Sequence, residues 1–203
     1  MLKDLENVNE SNLSSHGQFT CGYFSTEAIA CEFFDKFMAG NQFFVPESEV
    51  QGRRLYDAQP IDPAASWQGL RIDRILHPTI NAVQAGWQHG PIGVEIKKSG
   101  IKLGGVVAQV AEHRTTVFRS KLMNNTRIMP ILFSIFPAER LLGDIASVCA
   151  QSNILTCCYN KYQNCLKFTS PSANCLEIFK DKIIISEKWK PSTRKGHRGI
   201  SNV

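Results

Sequence analysis

The sequence predicts an α/β domain with a central mixed sheet flanked by helices, followed by a β-rich C-terminal extension. Three observations support this prediction. Residues 92–97 alternate apolar and polar side chains as a strand does, and residues 26–38 repeat apolar side chains at the spacing of an amphipathic helix. Residues 127–136 are almost continuously apolar, which is typical of a strand buried on both faces.

Composition limits the classes of protein to which the chain can belong. With 203 residues and 43% hydrophobic content, it suits one domain with a sizeable core. The net charge of +5 permits an anionic partner such as nucleic acid without requiring one. No run of about 18 apolar residues is present, and the first residues lack the apolar core of a signal peptide. We therefore expect no membrane association and a cytoplasmic location.

Seven cysteines are distributed without a Cys-x-x-Cys pair. The adjacent Cys157 and Cys158 are a poor pair of ligands for a tetrahedral zinc ion. A zinc site in the second half of the chain stays open as an alternative, but the spacing favours reduced, mostly buried thiols.

The first regular element follows a polar lead-in over residues 1–20. Ser25 is a suitable N-cap for a helix that runs to about Met38 and carries Ile29 on its apolar stripe. Glu27 lies at the edge of that stripe. It is either a first-turn carboxylate stabilised by the helix dipole or a carboxylate aimed inward at a cation.

A short strand over residues 43–45 is expected to lead into a long loop over residues 46–69, which is rich in proline and glycine. The loop combines cationic and aromatic side chains that suit contacts to phosphates and bases, although each arginine taken singly fits an ordinary surface position. These side chains are Arg53, Arg54, Tyr56 and Trp67.

Residues 70–76 predict a strand, and Asp73 lies in its middle. An acidic residue within a mostly apolar strand is uncommon. The alternation places Leu70, Ile72 and Leu76 on one face, with Arg74 interrupting the pattern. It places Arg71, Asp73 and Ile75 on the other face. After a linking segment, the strand at residues 92–97 presents Glu95 and Lys97 on one face, beside each other.

A helix is expected from Gly104-Gly105 to about Phe118, with Gln109, Glu112, His113 and Thr116 on its polar face. Residues 127–136 are expected to form one buried strand. Pro137 suits the first turn of the helix that follows.

The expected organisation has three parts. Residues 1–150 form the core with its lead-in, and residues 151–187 form a meander packed on the same domain, with a tight turn at Lys180-Asp181. Residues 188–203 form a flexible basic tail, which is either a solubilising end or a nonspecific phosphate contact.

The acidic residues and the lysine together suggest a chemistry. Hard divalent cations such as Mg²⁺ bind carboxylate oxygens, and a bound cation polarises a phosphoryl oxygen and lowers the pKa of a bound water. Asp73 and Glu95 on neighbouring strands would repel each other without a cation between them. Lys97 is placed to orient a water molecule or to stabilise the charge that develops on a phosphate.

These residues resemble the signature of the PD-(D/E)xK nuclease superfamily. The resemblance rests on Asp73, on Glu95-Ile96-Lys97, and on Gln109 within Ala108–His113, and it covers roughly residues 23–136. It implies a restriction-endonuclease-like core, in which an acid on the second strand and Glu-x-Lys on the third bind Mg²⁺. In the RecB and Holliday-junction-resolvase-like branch, a Gln on the next helix and a Glu on the first helix join them.

The resemblance implies a Mg²⁺-dependent DNA nuclease, with an endonuclease as the expected type, in which Mn²⁺ is expected to substitute. Asp73, Glu95 and Glu27 would hold the metal, Lys97 would position the attacking water, and Gln109 would orient Lys97 or the phosphate. Two positions depart from the pattern: Ile72 replaces a frequent Pro, and His113 replaces a frequent Tyr. The expected phosphate contacts are Arg71, Lys98, Arg114 and Arg119.

Two other classes remain open. A binding module can retain this fold and bind DNA or a protein without cutting, and an interaction protein can carry Glu95 and Lys97 as a plain surface ion pair. A homodimer is also possible, because enzymes that cut two strands often work as symmetric pairs.

Overall fold

The computed structural model describes residues 23–54, 70–138, 143–170 and 174–186. Within these ranges the chain forms four helices and ten strands. The helices are α1 Glu27–Met38, α2 Ile80–Gln84, α3 Leu103–His113 and α4 Gly143–Gln151. The strands are β1 Phe44–Arg54, β2 Leu70–Pro78, β3 Ile92–Ile96, β4 Thr116–Ser120, β5 Thr126–Ile128, β6 Leu132–Phe136, β7 Ile154–Asn160, β8 Cys165–Thr169, β9 Asn174–Ile178 and β10 Ile183–Ile185.

All ten strands join one mixed sheet in the order β10-β9-β8-β7-β6-β3-β2-β1-β4-β5. The β3–β6 and β6–β7 pairs are parallel, and the other neighbouring pairs are antiparallel. The predicted α/β class with a mixed sheet is therefore confirmed, although the sheet is larger than expected and strands far outnumber helices. Strands β3 and β6 lie at its centre, and every residue of both is buried.

Two hydrophobic cores cover the two faces of the sheet. On one face, Phe34 of α1 packs in a cluster with Ile92, Val94 and Phe136. On the other face, α3 contributes Val106, Val107 and Val110 to a cluster with Ile75 and Phe133. The predicted alternation of β3 is confirmed, but the face that carries Gly93 and Glu95 is also buried. A Cβ at Gly93 would lie 2.6 Å from both Ile72 Cδ1 and Phe133 Cδ1, so α3's face of the sheet packs tightly here.

The predicted faces of β2 are wrong in one respect. Ile72 and Ile75 pack in the α3-side core, whereas Leu76 packs in the α1-side core. The regular alternation fails around Asp73, because the β1–β2 ladder pairs the residues on either side of Glu49 and Asp73 but not these two. Glu49 has a φ of 50°, which lies in the left-handed region.

Helix α1 begins close to the predicted position. Its N-cap is Thr26 rather than Ser25, and the Thr26 hydroxyl accepts the backbone N–H of Ile29 at 3.2 Å. Ile29 was predicted to lie on the buried stripe but is 48% exposed. The buried residues of the helix are Ala30, Phe34, Phe37 and Met38.

The loop predicted over residues 46–69 is wrong in its first part. Residues 46–54 belong to the eleven-residue strand β1, which pairs with β2 on one side and β4 on the other. Arg53 and Arg54 therefore lie on a strand, and Arg54 forms an ion pair with Glu112 of α3. Tyr56 and Trp67 lie outside the described residues. Pro46 and Gly52 suggested a loop, but both are accommodated in β1 by its pairing partners.

The helix predicted to reach Phe118 ends at His113. Thr116, Val117 and Phe118 form strand β4 instead, because β-branched and aromatic side chains favour strands and β1 offers an edge to pair with. The apolar stretch at residues 127–136 also divides into two strands, β5 and β6, rather than one.

The junction after β6 differs from its prediction, whereas the C-terminal meander is confirmed. Pro137 follows β6 directly through a cis peptide bond, and α4 begins only at Gly143, so Pro137 is not in a helical turn. Strands β7 to β10 pair antiparallel in chain order. Because β7 also pairs with β6, they extend the main sheet. The Lys180 ammonium in the β9–β10 turn donates to backbone carbonyls at the C-terminal end of α1.

A buried polar cluster joins β1, β2 and β4 toward the β5 edge of the sheet. The Glu47 carboxylate accepts hydrogen bonds from Ser120 Oγ at 2.7 Å and from the Lys121 backbone N–H at 2.6 Å. His77 Nε2 lies 2.8 Å from Glu47 Oε2. Glu47, His77 and Ser120 are all buried. The cluster therefore fixes the start of the β4–β5 turn to the two long strands.

Five cysteines are free thiols, namely Cys31, Cys149, Cys157, Cys165 and Cys175. Cys158 is disulfide-bonded, so the prediction of reduced thiols is wrong for this residue. Cys21, the lead-in at residues 1–20 and the basic tail at residues 188–203 lie outside the described residues. Among the helices that the structure describes, none is long and apolar enough to cross a membrane.

Candidate active site

The candidate site centres on the C-terminal end of β3. Glu95 is only 2% exposed, and Lys97 Nζ lies 2.6 Å from Glu95 Oε1. Lys97 is itself 15% exposed, and its backbone N–H donates to Phe136 O at 2.7 Å on the neighbouring strand β6. The two side chains therefore form a nearly buried ion pair on a rigid part of the sheet, rather than a solvated surface pair.

Helix α3 supplies two further side chains to Glu95. Gln109 Nε2 donates to Glu95 Oε1 at 2.6 Å, and His113 Nε2 lies 3.5 Å from Glu95 Oε2. The four-residue spacing places both side chains on one face of the helix. Gln109 was predicted for this site, whereas His113 was noted as a departure from the family pattern and placed on the polar face of the helix. It is instead buried, with 1% of its side chain exposed.

Asp73 approaches the site from the neighbouring strand β2. Its Oδ2 accepts the backbone N–H of Ile96 at 2.7 Å, at the point where the β2–β3 ladder has ended. Burial raises the pKa of Asp73 above its ordinary value, and the nearby Glu95 charge raises it further. The two predicted carboxylates are thus close enough for the charge of Glu95 to oppose the ionisation of Asp73.

In the Glu95–Lys97 ion pair, by contrast, each pKa is shifted in the direction that stabilises the charged form. Burial opposes the ionisation of Glu95, but His113 and Lys97 outweigh it and hold the pKa of this carboxyl below its ordinary value. Burial likewise opposes the charge on Lys97, but the hydrogen bond and charge of Glu95 raise the Lys97 pKa overall. Lys97 is therefore a stable ammonium and Glu95 a stable carboxylate at neutral pH.

Glu27 reaches the site from the first turn of α1. Its Oε2 lies 3.6 Å from Lys97 Nζ, and its side chain is 50% exposed, so it stands at the rim. Two hydrogen bonds fix this end of α1 near β3: Phe24 N donates to Ser99 Oγ at 2.8 Å, and Ser99 N donates to Phe24 O at 2.9 Å.

One supporting interaction was missed by the sequence interpretation. The Arg74 guanidinium, 8% exposed, donates to both Asp35 oxygens at 2.7 and 2.6 Å and to the Asp73 backbone carbonyl at 2.6 Å. This bidentate pair ties α1 to β2 directly beside Asp73. An arginine within an apolar strand was the available signal, because such a charge is rarely buried without a partner.

The four residues predicted to contact phosphates are spread over several elements and do not form one cluster with Glu95. Lys98 is exposed and directly follows Lys97, and Arg114 follows the end of α3. Arg71 lies two residues before Asp73, and its guanidinium is 3.6 Å from the Glu49 carboxylate. Arg119 lies on β4, which is separated from β2 by β1. Lys98 and Arg114 thus adjoin the elements of the site, whereas Arg119 lies on a more distant strand.

The described residues contain no group of three or more His, Cys, Asp or Glu side chains arranged to hold a metal ion. The available oxygen ligands nevertheless suit Mg²⁺, which binds through one or two carboxylates and retains several waters. The raised pKa of Asp73 next to ionised Glu95 is the electrostatic condition that a bound cation would relieve.

This repulsion predicts a gain in stability when the Asp73 charge is removed. Asp73→Asn keeps an oxygen for the Ile96 N–H. We expect the free energy of unfolding to rise by about 0.5 to 2 kcal/mol, the range common for single stabilising substitutions. Urea unfolding at neutral pH measures this change. A clear loss of stability would contradict the proposed repulsion.

Comparisons with protein-family models, with curated proteins and with solved structures found no match to this chain.

Proposed function

We propose that the chain is a Mg²⁺-dependent deoxyribonuclease of the PD-(D/E)xK type, which cuts DNA as an endonuclease. The observation that carries this proposal is the nearly buried Glu95–Lys97 pair with Asp73 beside it. A sheet gains no obvious stability from two neighbouring carboxylates of which one resists ionisation, because burying charge is costly. Such a cost is typical of functional sites.

The topology around the pair supports the proposal. Glu27 lies on α1, Asp73 on β2, Glu95 on β3 and Gln109 on α3. These are the element types and the chain order that the resemblance implies. Strands β1, β2 and β3 are antiparallel neighbours, and β6 adds in parallel beside β3.

Asp73 and Glu95 are the residues that would hold Mg²⁺, and Glu27 at the rim would act directly or through a water. When bound, the cation supplies Lewis acidity toward the phosphate and a water of lowered pKa. Mn²⁺ would substitute, because it accepts similar oxygen ligands.

The side chains around the carboxylates have separate tasks. Because the Lys97 pKa is raised, Lys97 remains an ammonium and does not take a proton from water. Its task is to orient the attacking water by donating to it and to stabilise the charge on the phosphate. Gln109 donates to Glu95 Oε1 from α3 and so fixes the orientation of the Glu95 carboxylate beside Lys97.

The DNA backbone would meet cationic side chains near the site. Lys98 and Arg114 adjoin the site elements, and Arg71 and Arg119 are the more distant candidates. The net charge of +5 favours the approach of a polyanion. A homodimer would place two such sites against two strands.

Cleavage of supercoiled plasmid tests the proposal. Wild type is expected to nick or linearise the plasmid with Mg²⁺ or Mn²⁺ and to stop when EDTA is added. Glu95→Gln is expected to lower the rate at least about a hundredfold, because it disturbs a metal ligand and its neighbours. Lys161→Met, at an exposed turn, is the control and should cut like wild type. Equal cleavage by all three proteins would remove the hypothesis.

A catalytically inactive nuclease-fold module that binds DNA or protein is the second candidate. One observation favours it: Glu95 Oε1 already accepts hydrogen bonds from both Lys97 and Gln109, so this charge is balanced without a cation. Such a module would bind DNA equally well with Mg²⁺ or EDTA and would yield no cleavage products.

A further inference from the structure

The two oxygens of Glu95 have different surroundings. Oε1 accepts hydrogen bonds from Lys97 and Gln109, and Lys97 in turn lies 3.6 Å from half-exposed Glu27 at the rim, so we call Oε1 the outer oxygen. Oε2 faces inward, toward His113. Within the described part of the chain, this inner oxygen is buried and has no hydrogen-bond partner. Oε1 is therefore linked to the rim of the site through Lys97, whereas Oε2 faces His113 in the protein interior.

His113 is unusual for a residue so deeply placed. It is 1% exposed, and its ring lies 5.7 Å from the Phe118 ring and 6.3 Å from the Phe133 ring, measured between centroids. Both ring nitrogens are buried and lack a hydrogen-bond partner among the described residues. An apolar side chain would fill this aromatic pocket without the cost of buried polar atoms. Packing alone therefore does not explain why a histidine occupies this position.

The only carboxylate that the structure places near this ring is Glu95, at 3.5 Å from Nε2 to Oε2 within the described residues. A shift of a few tenths of an ångström would bring this distance into the hydrogen-bond range. Hydrogen bonds of catalytic groups are often long before a ligand binds. Ligating carboxylates are in turn usually held by a hydrogen bond from behind.

We propose that His113 is a positioning residue that donates from Nε2 to the inner oxygen of Glu95 and so holds the outer oxygen toward the metal. This inference rests on the proposed function. His113 touches neither metal nor DNA; it acts through Glu95. It also assigns a role to the position at which this chain departs from the family pattern. Gln109 and His113, one helical turn apart, then hold the two oxygens of one carboxylate.

The test compares a donor with a non-donor at position 113 in the full chain. His113→Gln can place an amide N–H close to the original Nε2, whereas His113→Met has similar length and no donor. Mn²⁺ binding is measured from the electron paramagnetic resonance of the free ion. We expect His113→Met to weaken Mn²⁺ binding about tenfold or more. His113→Gln should stay within about threefold of wild type, because its donor is retained.

Thermal unfolding of each variant shows whether it is folded, and His113→Leu replaces the methionine variant if that one is not. Equal Mn²⁺ affinity in wild type and both variants would overturn the inference, as would an equal loss in both variants, because the donor would then be irrelevant. If wild type binds Mn²⁺ and cuts plasmid but either of these two outcomes is found for the variants, only the role of His113 fails. If wild type neither binds Mn²⁺ nor cuts, the proposed function fails and this inference fails with it.

Discussion

Lys97→Met is expected to lower the cleavage rate about a hundredfold to a thousandfold while Mn²⁺ binding stays unchanged or becomes tighter. The rate falls because a preorganised positive charge next to the reacting phosphate is lost, and single groups of this kind contribute effects of that size. Binding is retained because the ammonium now 2.6 Å from Glu95 Oε1 competes with a metal for this oxygen. Single-turnover plasmid cleavage and Mn²⁺ titration measure the two effects separately.

The contrast with Glu95→Gln makes this prediction specific, since that variant should lose both metal binding and cleavage. Lys161→Met removes an equivalent side chain from an exposed turn and should leave both measurements at the wild-type level. If Lys97→Met lost Mn²⁺ binding together with activity, Lys97 would be a structural partner of Glu95 rather than a group that acts on the phosphate.

Glu47→Gln is expected to lower the free energy of unfolding at neutral pH by about 3 kcal/mol, as breaking a buried charged network does. Glu47 holds Ser120, the Lys121 N–H and His77 together, and its side chain is only 8% exposed. Guanidinium unfolding followed by circular dichroism measures the change. Glu49→Gln is the matched control, because Glu49 lies on the same strand, is 65% exposed and should change stability by less than about 0.5 kcal/mol.

The same cluster predicts the direction of a pH effect. Burial alone would raise the pKa of Glu47, but hydrogen bonds from Ser120, the Lys121 amide and His77 outweigh it and lower the pKa. A carboxyl whose pKa is lower in the folded chain stabilises the fold above its unfolded pKa. That contribution is lost as the pH falls through the folded pKa. The stability difference between wild type and Glu47→Gln should therefore shrink in acid. A difference that grew in acid would contradict this account.

Strand β3 was predictable because its information is local. Ile92, Val94 and Ile96 alternate with Gly93 and Glu95 between turn residues, and period-2 alternation has one structural meaning. The same argument put Glu95 and Lys97 side by side, as they are. It did not show that both faces of β3 are buried, because burial of the second face depends on α3, which lies elsewhere in the chain.

Strands β1 and β4 were not predictable from local pattern. Proline and glycine within residues 46–54 indicated a loop, and the chain from Gly104 to Phe118 looked like one helix. Residues 46–54 form β1 by pairing mainly with β2, and Thr116–Ser120 forms β4 by pairing with the end of β1, because ladder hydrogen bonds outweigh weak local preferences. The Asp35–Arg74 pair was also not predictable from local pattern, because its members are far apart in sequence and meet only in the fold.

The amino-acid sequence by itself determined the α/β class and placed Asp73, Glu95 and Lys97 in strands, because strand periodicity and residue chemistry are local properties. Gln109 became a candidate only through the resemblance to a nuclease family. The tertiary structure alone decided that Lys97 and Gln109 hold one oxygen of Glu95 while His113 faces the other. The distances, burial and charges that distinguish these two oxygens arise only when separate segments pack together, since dielectric environment and hydrogen-bond partners are properties of the fold.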